Sequence, residues 1–211
     1  MAMPDQFVPV QLTGDLVRLE PLGTDHVPGL VLAAEGARAT PSLATVPTPE
    51  GVEDYVRHNL ERQAGGGYLP FAQVEVATGR VLGHTAFLTP RTWPDGRLLA
   101  VEVGSSWLAP DMRGTAVNSA SKLLLLTHAF EDWEVVRVDI KTDVRNSAAR
   151  AGIRAIGGRF EGILRNWQPS LADGEEGRPR DTAMFSVTAA EWPGVRQHLE
   201  ERIATKLAAR G

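Results

Sequence analysis

One carboxylate, Glu102, sits in an otherwise apolar strand, Leu99-Ala100-Val101-Glu102-Val103-Gly104, that runs on to a turn at Pro110. The turn carries Arg113-Gly114-Thr115, and a long amphipathic helix to about Glu131 follows at once. A small-residue turn at a helix start presents unpaired N–H groups at the positive end of the helix dipole, which suits a phosphate. Strand alternation puts Glu102 opposite Val101 and Val103, with Gly104 leaving space beside it. A carboxylate there is costly if buried without a partner. Two readings stay open for each feature. The turn is a phosphate cradle or an ordinary helix start with a surface arginine. Glu102 is a proton acceptor in a reaction or a salt-bridged strand residue.

The turn is not one of two familiar phosphate motifs. No Lys-Ser/Thr pair follows Gly114, so it is not a P-loop. No G-x-G-x-x-G follows the first strand, so it is not a dinucleotide fingerprint. The elements that must position it are read from periodicity. Leu16–Leu22 is a first strand, and Thr24 or Asp25 caps a helix through Leu30 and Leu32 to Ala34. Thr40–Pro49, with three prolines, is a stiff extended loop, either a connector or a wall of a cleft. A helix from Glu50 buries Val52, Tyr55, Val56, Asn59 and Leu60, and ends at Gly65-Gly66-Gly67. Tyr68–Val76 and Arg80–Leu88 form a hairpin about Thr78-Gly79, and Pro90–Gly96 is a loop. Val136, Val138 and Ile140 face one way on the next strand. Asn146 caps a helix closed by Gly157-Gly158. Two strands, Arg159–Arg165 and Thr182–Val187, and a closing helix from about Ala190 to Ala208 complete the chain. The order β-α-α-β-β-β-α-β-α-β-β-α predicts an α/β or α+β domain with a mixed sheet, not a doubly wound parallel one. One domain over residues 1–211 is expected.

Composition narrows the function classes. The 211 residues carry a net charge of −4, which gives no support to a nucleic-acid partner. The chain has no cysteine, which excludes disulfides, thiolate metal sites and a cysteine nucleophile. Five histidines are scattered without ligand spacing, so no metal is expected. Met1–Pro9 does not read as a signal peptide and no apolar run reaches membrane-spanning length, so no membrane partner and a cytoplasmic setting are expected.

Trp107-Leu108-Ala109-Pro110 followed by Arg113-Gly114-Thr115-Ala116-Val117-Asn118 resembles the acetyl-CoA signature of the GCN5-related N-acetyltransferases (GNAT), and most closely the branch of ribosomal-protein N-terminal acetyltransferases (RimJ/RimL type). Lys122 to Leu125, His128-Ala129-Phe130-Glu131, Lys141-Thr142-Asp143, Asn146, Gly157, Glu161–Arg165, Arg180-Asp181-Thr182 and Glu191-Trp192-Pro193 extend the resemblance over nearly the whole chain. It implies a splayed, mostly antiparallel central sheet flanked by helices. It also implies acetyl-CoA as cofactor, its pantetheine arm beside the backbone of Trp107, Leu108 and Ala109. Arg113, Gly114, Thr115, Ala116, Val117 and Asn118 would cradle the pyrophosphate, and Asn146 would contact the pantetheine. Ala116 stands where the family usually has glycine, and Asn118 where Gly or Ala is common.

The reaction implied is acetyl transfer to a primary amine. The amine must lose a proton, and Glu102 is the candidate base. With no cysteine for an acyl-enzyme, direct attack in a ternary complex is expected. The branch's serine falls at Ala149, so the general acid is open between water and Ser147, which is out of phase. The two tyrosines, Tyr55 and Tyr68, lie far earlier in the chain. His84, Trp93, Glu161 and Trp167 are candidate acceptor contacts. For His84 the alternative is a structural histidine, for the tryptophans rim packing, and for Glu161 an ion pair with Arg165. An amine-bearing small molecule is preferred over a protein N-terminus, because no added docking segment is present. A homodimer is left open. The competing reading is a catalytically weak or inactive CoA-binding or regulatory module, favoured by Ala116, Ala149 and the missing tyrosine.

Overall fold

The computed structural model describes residues 6–38, 43 and 46–209. Strands β1 (Leu12–Thr13) and β2 (Val17–Pro21) lead to helices α1 (Val27–Ala34) and α2 (Val52–Ala64). A meander of β3 (Tyr68–Glu75), β4 (Val81–Thr92) and β5 (Leu98–Leu108) follows. Helix α3 (Val117–Thr127) crosses to β6 (Arg137–Asp143), and α4 (Ser147–Ala155) leads to β7 (Arg159–Pro169), β8 (Pro179–Thr188) and α5 (Trp192–Ala208). The strands form one eight-stranded mixed sheet in the order β1-β2-β3-β4-β5-β6-β8-β7. Among the described residues only β5 and β6 pair in parallel, joined by a helical crossover.

Local chemistry explains most of these elements. Gly79 takes φ +73° in the β3–β4 turn, where a side chain would be strained. Asn146 caps α4, its Oδ1 accepting from Ala149 N–H at 2.9 Å. Three details differ from the sequence pattern. Neither Thr24 nor Asp25 caps the first helix; the His26 ring accepts from Gly23 N–H at 3.0 Å instead. Strand β4 runs through Pro90 to Thr92, because Arg91 and Thr92 find partners at Ala100 and Leu98 across an irregular ladder. Val136 lies outside β6 and is exposed, although its N–H bonds Leu99 C=O at 2.9 Å.

Each face of the sheet has its own core. Helices α3, α4 and α5 cover one face, where Phe71, Phe87, Val101, Val103, Leu125, Leu126, Val138, Phe185 and Leu199 pack. Helices α1 and α2 cover part of the other, against Ala72, Val74 and Trp107. Among the described residues no helix is long and apolar enough to cross a membrane.

The feature that matters for function is a fork. Strands β5 and β6 pair only at Ala100–Arg137, Val101–Val138 and Glu102–Asp139, and then part. The cause lies in β5. Between the pairs Ala86–Gly104 and His84–Trp107 two residues, Ser105 and Ser106, oppose the single Thr85. Ser105 adopts φ +50° in this bulge. A bulge bends its strand, and here it turns β5 away from β6 just past Glu102. Below the fork a chain of ion pairs holds the strands together. Arg91 pairs with Asp139 at 2.5 Å, Asp139 with Arg137 at 2.5 Å, and Arg137 with Glu161 at 2.5 Å.

Candidate active site

A cleft of about 620 Å³ fills the fork and reaches both faces of the sheet. Glu102, Lys141 and Arg180 line it on one face, and Asn118, Lys122, Ala149 and Ile153 on the helix-covered face. Glu102 therefore stands at the apex, on the last paired position before the strands separate. Both readings of this residue are realised together. It is buried, and its Oε2 is held by Lys141 Nζ at 2.8 Å and by the Thr89 hydroxyl at 3.2 Å. Its Oε1 has no donor among the described residues and points toward Gly104, where a Cβ would lie 3.2 Å away. Gly104 thus keeps one carboxylate oxygen open to the cleft while the other is fixed.

On the opposite face Lys122 is buried without an acidic partner among the described residues. Its Nζ donates to Ser106 Oγ at 2.7 Å and Thr85 Oγ1 at 3.2 Å, and the two hydroxyls are 2.8 Å apart. Burial lowers the Lys122 ammonium to about 7, so it holds its proton weakly at neutral pH. The bulge that opens the fork also aims Ser106 at this lysine. Lys122 lies one helical turn beyond Asn118, on the same face of α3. That spacing is visible in the sequence.

Tyr55 enters from α2. Its hydroxyl meets His84 Nδ1 at 3.0 Å and accepts from Trp107 Nε1 at 3.2 Å. Its side chain lines the cleft, despite its distance along the chain, and burial pushes its phenol well above the usual range. His84 does not reach the cleft. It is fully buried behind Tyr55, its Nδ1 2.8 Å from Ser105 C=O, and desolvation pulls it down to about 4.

The turn ahead of α3 is open. Gly114 takes φ +75° with nothing near its Cβ position. The N–H groups of Gly114, Ala116, Asn118 and Ser119 bond to no described residue. Thr115 is engaged internally: its hydroxyl donates to Met112 C=O at 2.8 Å and accepts from Val117 N–H at 3.2 Å. Val117 packs with Leu82 and Leu108. The cation expected from Arg113 is turned away, its guanidinium donating to Ala37 C=O. Lys206 of α5 brings one instead, with its Nζ on Gly114 C=O. Nothing in the helical periodicity of α5 marks Lys206; the packing of α5 on α3 places it. Along the fork, Ala109 N–H bonds Leu82 C=O at 2.8 Å and Trp107 C=O accepts from Gln73 Nε2 at 3.2 Å. Both point toward β4, so strand alternation leaves the N–H and C=O of Leu108 facing the fork. Asn146 lines the cleft across from them.

Four expected contacts lie elsewhere. Ser147 is exposed on α4 and does not line the cleft, while Ala149 does. Trp93 and Trp167 are exposed at the β4–β5 turn and on β7, outside the cleft. Glu161 holds Arg137 and the Ser186 hydroxyl (2.6 Å), not an acceptor and not Arg165. Arg137 holds its carboxyl down to about 2. Of the proline-rich loop, Thr40, Pro41, Ser42, Ala44 and Thr45 lie outside the described residues, and Leu43 lines the cleft.

Comparison with known proteins gives this arrangement a family. Residues 17–159 match the family described as the acetyltransferase (GNAT) domain. YdaF of Bacillus subtilis (strain 168), provisionally named a ribosomal N-acetyltransferase, is 33% identical over 90 residues. That match spans 42% of this chain and 45% of YdaF, less than half of either. A GCN5-related N-acetyltransferase from Brucella melitensis superposes with a TM-score of 0.79 at 26% identity, over 95% of this chain and 88% of that one. Mycobacterium smegmatis RimJ, solved in complex with CoA-disulfide, shares the fold with a TM-score of 0.72 at 20% identity, over 97% and 98% of the two chains. The family match covers most of the chain, including the turn and the fork, so this chain belongs to the GNAT acetyltransferases, whose acetyl donor is acetyl-CoA.

Proposed function

We propose that this protein acetylates the primary amine of a small molecule by direct attack within a ternary complex. The observation that carries this reading is the division of Glu102, with Oε2 pinned by Lys141 and Thr89 and Oε1 open at the fork apex. A carboxylate so held can take a proton from an incoming ammonium without swinging away. The residues present suit acetyl-CoA. The N–H groups of Gly114, Ala116, Asn118 and Ser119, which bond to no described residue, match a pyrophosphate at a helix start, with Lys206 as the cation nearby. Leu108 and Asn146 offer polar groups to an amide-bearing arm in the fork. When bound, acetyl-CoA supplies an activated acyl group and a thiol leaving group.

The chain's own residues divide the remaining work. Glu102 receives the proton from the amine. The Lys122 ammonium and the Ser106 hydroxyl hold a proton on the other face of the fork, and so replace the hydroxyl missing at Ala149. The small-molecule preference is supported by a cleft of about 620 Å³ bounded by Arg62 of α2 and by Leu171. The name of YdaF, a ribosomal N-acetyltransferase, makes a protein N-terminus the competing acceptor.

Thiol release from acetyl-CoA with a panel of amines tests the reading, with Glu102→Gln alongside. The variant should lose about 10²–10⁴-fold in kcat while CoA still raises its melting temperature. Stabilisation by CoA without turnover of any amine would favour a non-catalytic module. No shift with CoA would remove the cofactor assignment.

A further inference from the structure

Arg180, the second residue of β8, lies by strand alternation on the same sheet face as Glu102 and Lys141, and it lines the cleft. It is only 7% exposed. Its Nε is buried with no hydrogen-bond partner, and no other guanidinium atom makes a hydrogen bond or ion pair with a described residue. The carboxylates whose fields reach it, Asp143 and Glu102, are engaged elsewhere. Asp143 receives Arg145 through Nε at 3.0 Å, a terminal nitrogen at 2.7 Å and the backbone N–H at 2.9 Å. Glu102 is held by Lys141 and Thr89. A buried guanidinium with unmet donors is expensive, and its planar fork matches a carboxylate in two parallel hydrogen bonds.

The donor's phosphates are not the anion that completes it. Their cradle at the start of α3 adjoins Asn118 on the helix-covered face, whereas Arg180 belongs to the Glu102 face. From the unpartnered Arg180 in the cleft beside Glu102, we infer an acceptor-carboxylate subsite: the amine acetylated here belongs to an amino-acid-like small molecule with a free carboxylate. This inference rests on the acetyl-transfer reading and narrows its substrate. Lys141, between the two residues on this face, steers the same anion while it holds Glu102.

The test compares α-amino acids, β-alanine and γ-aminobutyrate with their carboxamides, and with short C-terminally amidated peptides, using wild type, Arg180→Gln and Arg180→Lys. Wild type should favour the best carboxylate acceptor over its carboxamide on the order of 100-fold in kcat/KM. Arg180→Gln should erase that preference by lowering kcat/KM for carboxylates far more than for carboxamides, leave the KM for acetyl-CoA unchanged, and not lower the melting temperature, because no native hydrogen bond is lost. Arg180→Lys should restore part of the preference. Equal use of carboxamides by wild type, a uniform loss on all acceptors in Arg180→Gln, or amidated peptides as the best acceptors would each overturn the inference and leave acetyl transfer standing. If no acceptor is turned over, the CoA-loaded protein is melted with the same compounds. Carboxylate-dependent stabilisation lost in Arg180→Gln upholds the subsite, and its absence overturns it. Failure of acetyl transfer itself is read separately, from thiol release and from the shift produced by CoA alone.

Discussion

Lys122 and Glu102 flank the fork from opposite faces, and their burial has different consequences. Glu102 has a cation at 2.8 Å, whereas Lys122 has only hydroxyls. The lysine's folded pKa of about 7 lies below its unfolded value of about 10.4. Between those values the unfolded chain binds more protons, so stability from this group rises with pH. Below about pH 7 both states are charged and the full burial penalty remains. Lys122→Met should therefore be more stable than wild type near pH 6, with the difference shrinking toward pH 10. Thermal melts across that range check this, and a difference that does not change with pH would contradict it. Glu102 was legible in the sequence because one charge interrupts an apolar strand. His84 and Arg113 stand away from the cleft and the turn for a common reason. Sequence alternation tells which side a residue takes, not what lies in front of it. Tyr55 covers His84, and Ala37 C=O captures Arg113.

At the scale of elements, helices and strands were largely written in periodicity and turn residues, down to the Asn146 cap and the Thr78-Gly79 hairpin. The bulge was not. Ser105 carries a positive φ without the glycine that would announce it, and only pairing with β4 forces it there. The closeness of β4 and β5 at this point gives a prediction. Gly83 takes φ +151°, and a Cβ on it would sit 2.1 Å from Trp107 C=O. Gly83→Ala must push β5 toward the fork or break the pair, and should lose more than about 2 kcal/mol along with affinity for CoA. Chemical denaturation and a CoA titration measure both. Wild-type stability in this variant would show that the two strands do not approach so closely.

Across the whole molecule, several groups bind protons less readily when folded. Burial takes His84 down to about 4, and Arg137 takes Glu161 down to about 2. The unfolded chain protonates first in each case, so stability is retained at neutral pH and falls with acid. The His84 contribution should fade from about pH 6.5 to 4, and that of Glu161 from about 4.5 to 2. Denaturation at neutral, mildly acid and strongly acid pH should show two losses, and His84→Gln should abolish the first. The fork itself has a wider meaning for the sheet. An open sheet has two edges, here β1 and β7, where unpaired backbone invites another chain. By parting, β5 and β6 give this sheet two more. These inner edges converge on Glu102 and lie inside a cleft, so a flat strand from a second molecule has no straight course along either. The protein can keep unpaired backbone for a ligand's amide groups without offering it for aggregation.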